Sequence, residues 1–162
     1  MKTFLKILCI IVVSVTIYSC KETKEEKVIT ETKFVFTKEG TLTLTKADGS
    51  LIKKIDIEFA EDDYERETGL MHRTSMKPLQ GMLFILDEEK LQNFHMKNTL
   101  IPLDLIFINS DKKVVSFAEN AKPLDLSLLP SQVPAKYVLE INGGLAEEWI
   151  IEIGDTVAWT KD

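Results

Sequence analysis

The densest run of chemically capable side chains lies mid-chain, where Lys97, Asn98 and Thr99 follow Phe94-His95-Met96 and precede Ile101-Pro102. Asp104 comes next, set between Leu103 and Leu105 in the apolar run Leu103 to Ile108. A carboxylate in such a run must be paired or hydrogen-bonded, or its pKa rises. Arg73 and Lys97 are the natural cationic partners. Two readings stay open. In the first, Asp104 is buried and ties the Lys97–Thr99 turn to a sheet through backbone N–H groups. In the second, polar groups gather at one mouth of the sheet. There Arg73 and Lys97 bind an anion or a sugar hydroxyl, and Asn98 and Thr99 orient it. If the site does chemistry, Asp104 is its candidate catalytic acid or base.

His72 and His95, with Met71, Met76, Met82 and Met96, raise a copper reading, because imidazole and thioether suit Cu(I). Met82 lies in a buried run and Met96 on a core-facing side, where methionine is ordinarily filler. No metal and no cofactor is therefore expected, and His72 and His95 are the residual ligand candidates. Glu119, Asn120 and Asp125 are further polar residues near the mouth. Trp149 and Trp159 read as core aromatics or as a sugar-stacking platform. No Gly-x-Ser-x-Gly, Walker loop or His-Glu-x-x-His occurs, so the common hydrolase and nucleotide sites have no support.

These residues need elements to position them. Phe34 to Thr37 and Thr41 to Thr45 read as a hairpin around Glu39-Gly40. Ile55, Ile57 and Phe59 alternate with Asp56 and Glu58, the pattern of a half-buried strand. Asp62 and Glu65 form a capping-box variant for a helix ending at Thr68-Gly69. Gly81 to Leu86, Leu103 to Ile108, Val114 to Ala118, Tyr137 to Ile141 and Thr156 to Trp159 read as strands, and Leu91 to Lys97 alternates. A second short helix is predicted around Leu145 to Ile150. Residues 119–135 hold Pro123, Pro130 and Pro134 and read as a long irregular loop, a type more often functional than idle. No strand–helix–strand alternation is long enough for a parallel sheet. The expected fold is α+β: a mostly antiparallel, partly closed barrel-like or sandwich-like sheet with two short helices.

The chain has 162 residues, 44% hydrophobic and 28% charged, enough for one sizeable core and too apolar for a disordered chain. A net charge of −6 is poor for binding a phosphate backbone, so no nucleic-acid partner is expected. Two cysteines exclude a disulfide-dense scaffold and a four-cysteine zinc site. Both lie in an unusual N-terminus. Lys2 and Lys6 precede an apolar stretch from Ile7 to Ile17, too short for a bilayer helix, which needs about 20 residues. It ends in Ile17-Tyr18-Ser19-Cys20, which resembles a bacterial lipobox. In such precursors the cysteine becomes the lipid-bearing N-terminus. Residues 1–19 are then a lipoprotein signal peptide, 20–32 a charged flexible tether and 33–162 the domain. Losing Lys2 and Lys6 takes Lys+Arg from 20 to 18 against 26 acids, moving the net charge from −6 to −8.

Gly69-Leu70-Met71-His72-Arg73, Gly81-Met82-Leu83-Phe84 and Phe94 to Asp104 are similar to the DUF192 family, as is Tyr137-Val138-Leu139-Glu140 with Gly143 and Gly154-Asp155. The resemblance covers about residues 50–159. It implies a compact α+β domain with a partly closed antiparallel sheet, and no assigned activity. His95 stands where that family commonly has Trp. The expectation is a monomeric, lipid-anchored envelope protein, more a binding or docking domain for a small polar or glycan ligand or a partner protein than an enzyme. The alternatives are an envelope polysaccharide hydrolase using Asp104 and copper handling by His and Met. Cys20→Ala should abolish incorporation of labelled fatty acid and release the protein from membranes. Unchanged labelling and membrane retention would contradict the lipobox.

Overall fold

The computed structural model describes residues 34–162, so the expected signal peptide, Cys20 and the expected tether lie outside the described residues. In chain order the elements are β1 (Gly40–Thr45), β2 (Leu51–Ala60), α1 (Asp63–Thr68), β3 (Gln80–Lys90), β4 (Asn93–Phe94), β5 (Leu103–Ile108), β6 (Val114–Ala121), β7 (Leu129–Pro130), β8 (Ala135–Asn142), α2 (Leu145–Glu148) and β9 (Thr156–Lys161). Among the described residues, seven strands form one sheet in the order β6-β5-β8-β3-β2-β1-β9, and β4 pairs β7 in a separate ribbon. The class is α+β with two short helices.

Three expectations need correction. The sheet is not closed into a barrel. Its edges β6 and β9 meet at one corner, where Lys113 bridges Thr156 and Val157 N–H donates to Lys112 O at 2.9 Å. One bridge is not a ladder. Next, β2 and β3 are parallel, Ile57 facing Gly81 and Phe59 facing Leu83. A parallel pair needs a crossover, and the six-residue α1 with the turns of 69–79 provides it. Finally, Phe34 to Thr37 is not a strand, and Gly40 is not a turn residue. Gly40 lies inside β1 between Ile57 and Lys161, where a Cβ would collide with the Thr160 carbonyl. The true hairpin is β1–β2 around Asp48-Gly49, closed by Ser50 N–H donating to Asp48 Oδ1 at 2.8 Å.

Strand alternation divides the core between the two sheet faces. One face carries Leu42, Ile57, Leu83, Ile106, Leu139 and Ile141 and is covered by Leu145 of α2 and by Trp149 just after it. The other carries Met82, Phe84, Leu105, Phe107 and Val138 and is covered by Leu70, Met96 and Ile101 from loops and by Phe94 of the β4–β7 ribbon. Burying each such side chain contributes about 1.5–3 kcal/mol.

The four-residue α2 has a weak start: its N-cap Gly144 sits at φ +87° and offers no side-chain acceptor. Asp104 of β5 supplies it instead. Its side chain is wholly buried, Oδ2 accepting the Ala146 N–H at 2.8 Å and Oδ1 the Asn120 N–H at 2.7 Å. One carboxylate thus caps a helix and fixes the far end of β6. Asp104→Ala strands the buried Ala146 N–H at about 1–3 kcal/mol and the part-buried Asn120 N–H at less, so urea unfolding should show a loss of about 2–4 kcal/mol. A loss under about 0.5 kcal/mol would contradict that role.

Candidate functional site

Directly paired residues on neighbouring strands share a face, so register decides which side chains meet. Glu140 of β8 faces Met82 on β3 and Leu105 on β5, and Met82 faces Glu58 on β2. A row Glu58–Met82–Glu140–Leu105 therefore crosses the sheet on the loop-covered face. Asp104 pairs with Ile141, one step out of phase, and points to the α2 side.

Glu58 and Glu140 are both about 6% exposed, yet their surroundings differ. Glu58 meets Arg73 Nη2 at 2.7 Å, and its Oε1 accepts the Thr37 N–H at 2.8 Å. That pair fastens both the 69–79 crossover and the segment before β1 to the sheet. Arg73 Nε, also buried, has no hydrogen-bond partner among the described residues. Glu140 has no ion pair among the described residues, and burial alone pushes its carboxyl up to about 8. A carboxyl held in its neutral form in this way is a donor at neutral pH.

Glu140 forms part of the floor of a cleft of about 420 Å³. Thr99 joins it there, 5% exposed. Leu70, Met71, Phe84, Leu86 and Phe94 make apolar walls. Phe84 and Phe94 meet edge to face at 5.3 Å, which fixes the wall between β3 and β4. The rim is polar: Asp63, Arg66 and Glu67 of α1 with Gln92, Asn93 and His95. The helix is held in place by its capping box, Asp62 Oδ1 accepting the Glu65 N–H while Glu65 accepts the Asp62 N–H. Gly69 ends it at φ +45°, and a Cβ there would meet the Phe84 ring at 2.8 Å. Glycine thus lets the crossover close down on the cleft wall.

The candidates from sequence are only partly brought together. Thr99 and His95 line the cleft. Lys97 is exposed, and Arg73 is committed to Glu58 rather than to Asp104. Asn98, at φ +57°, accepts the His72 N–H through its carbonyl at 2.8 Å and so shapes the turn. His72 is exposed and stacked on Phe34 at 5.5 Å. Met82 and Met96 are buried in the core face. Among the described residues, no group of three or more His, Cys, Asp and Glu side chains is placed to hold a metal ion. Asn120 serves Asp104, Trp149 is buried, and Trp159 packs edge-on to Tyr137 at 4.9 Å. Sequence reasoning missed Glu140, although it is a carboxyl inside an apolar strand just as Asp104 is. It also took Glu58 for the wet side of a half-buried strand.

The family model DUF192, described as an uncharacterized ACR, matches residues 43–159. A UPF0127 protein of Pyrococcus furiosus is 33% identical over 110 residues, spanning 67% of this chain and 90% of the relative. A solved structure of a putative transcription regulator from Sinorhizobium meliloti 1021 superposes with a TM-score of 0.72 at 35% identity, covering 77% of this chain and 97% of that one. A protein of unknown function from Novosphingobium aromaticivorans gives 0.69 at 40% identity, covering 74% and 84%.

The raised carboxyl has a stability consequence. Unfolded, Glu140 loses its proton near 4.5, whereas folded it keeps it to about 8. Between those values the unfolded state binds fewer protons, so stability falls as pH rises and levels off above 8. Glu140→Gln lacks this term. Its stability relative to the parent should climb by about 1 kcal/mol per pH unit from 5 to 8 in urea unfolding. Parallel pH profiles for the two proteins would contradict the assignment.

Proposed function

The chain belongs to the DUF192 family, and on that footing we propose that it is a monomeric, lipid-anchored envelope protein whose domain binds a small polar ligand without transforming it. The observation that carries this is Glu140, a buried carboxyl that burial alone keeps protonated, at the floor of a cleft of about 420 Å³. Cleft size suits a compact ligand such as a monosaccharide or an amino acid, since small-molecule sites begin at about 300 Å³. Apolar walls with a few convergent polar groups are the usual composition of such sites. The acid offers a hydrogen bond at depth, and Thr99 and the Gln92–Asn93–His95 rim offer others.

The anchor rests on Lys2, Lys6, the Ile7–Ile17 stretch and Ile17-Tyr18-Ser19-Cys20. It would hold the domain at the membrane on the 20–32 tether, where ligand from the envelope reaches it. Hydrolysis by Asp104 gains nothing from that residue's position, with both oxygens taken by amides on the far face. The regulator role attached to the Sinorhizobium relative is not carried over, since a net charge of −6 gives no cationic footprint for nucleic acid.

Lys33–Asp162 is a compact unit with its own core. Screening it, 15N-labelled, against sugars, amino acids and small amines tests the proposal. Binders should shift the amides of Gly69, Phe94, Thr99 and Glu140, and Glu140→Leu should weaken them at least tenfold. Binders that map to the α2 face instead would overturn it.

A further inference from the structure

The two glutamates of the sheet row pose a comparison. Glu58 and Glu140 share one face, flank Met82 and are equally buried. Their Cα atoms are two strand spacings apart, about 10 Å. Glu58 has a resident cation, Arg73, at 2.7 Å. At the equivalent place beside Glu140 the protein provides open space, the cleft. Among the described residues that line the cleft, no cation is free to fill it. Arg66 is the one basic side chain in the lining apart from His95, and it is spent elsewhere. Its guanidinium donates to the Ile85 carbonyl at 3.1 Å and to the Glu61 carbonyl, and it pairs with Asp63 at 2.7 Å and Asp87 at 3.4 Å.

The rest of the lining is mildly acidic. From α1 come Asp63, itself paired with Arg66, and Glu67, which has no ion pair among the described residues; after β4 comes His95. The flanking residues on β3 and β5 are the uncharged Met82 and Leu105. Glu58 on β2 is already neutralised by Arg73, and Asp104 points to the other face. An anionic guest would meet the Glu67 carboxylate at the rim and find no cation in the cleft free to pair with it. A cationic guest would be drawn by that rim and would gain a carboxylate partner once the floor acid ionises.

We infer that the ligand of this cleft carries an ammonium or guanidinium group, which occupies beside Glu140 the place that Arg73 occupies beside Glu58. This rests on the cleft reading above and names its ligand class. The free protein holds Glu140 as the neutral acid, and the guest arrives as a cation. On binding, the carboxyl O–H gives its proton to solvent, leaving a carboxylate paired with the cation, so one proton is released per ligand at neutral pH. The apolar walls then cover the guest's carbon skeleton.

Three unbranched probes of similar length and different head group separate the possibilities: n-butylammonium, n-pentanol and n-pentanoate. Each is titrated into the 13C-carboxyl-labelled, 15N-labelled Lys33–Asp162 unit between pH 6 and 8. With n-butylammonium, the Glu140 carboxyl resonance should move to its ionised position. Close to one proton should appear in weakly buffered solution at pH 6.5. Affinity should rise about tenfold per pH unit below the carboxyl's own titration, because only the ionised form binds the cation. Proton release should persist in His95→Gln and vanish in Glu140→Gln, with binding at least tenfold weaker. If n-pentanol binds at Gly69, Thr99 and Glu140 as well as the ammonium does, with no ionisation, the cation inference fails and the cleft survives. Failure of n-butylammonium to ionise Glu140 at 50-fold excess over the protein overturns the inference as well. If all three bind only outside the cleft, both readings fall.

Discussion

A carboxyl group taken out of water needs a cation, a set of amide donors or a proton, because the bare ion is too costly to bury. The sheet strands bury three such groups, and each is met chiefly by a different remedy. Glu58 takes the guanidinium of Arg73, which brings the crossover and the segment before β1 down onto the sheet. Asp104 takes two backbone N–H groups, which start α2 and set the end of β6. Glu140 keeps its proton. The first two contribute to the architecture. The third ties nothing together, and it lies at the cleft. A cost carried with no structural return is what a binding site looks like in energetic terms.

The cleft follows from the connection between β2 and β3. These strands are parallel, so the chain must travel back over the sheet between them. It does so with a short helix and a chain of turns, too little material to cover the face. The β4–β7 ribbon covers part of the remainder, and the gap between ribbon and crossover is the cleft. Had a longer helix filled the crossover, Glu140 would have been sealed into the core.

Much of the local structure was legible in the sequence. The capping box at Asp62 and Glu65, the glycine stop at Gly69 and the apolar strands each express local rules, and they stand where those rules put them. What was not legible depends on partners distant in sequence. Gly40 looks like a turn until β9 is placed beside it. Closure of the sheet depended on how β6 and β9 meet. Asp104 and Glu140 carry the same signal, a lone carboxyl in an apolar strand. They pair one residue out of phase, and that single step sends one to the helix side and the other to the cleft. The alternation within a strand says that two faces exist but does not say which one a loop will leave open.

The central claim is that Glu140 is a neutral acid in the unliganded protein. The most direct measurement is a 13C NMR titration of the Glu140 side-chain carboxyl in the free domain, from pH 4 to 9, with Glu140→Gln identifying the resonance. A midpoint near 8 is the predicted result. A midpoint near the ordinary glutamate value of about 4.3 would contradict the account, because Glu140 would then be ionised and satisfied at neutral pH without any ligand.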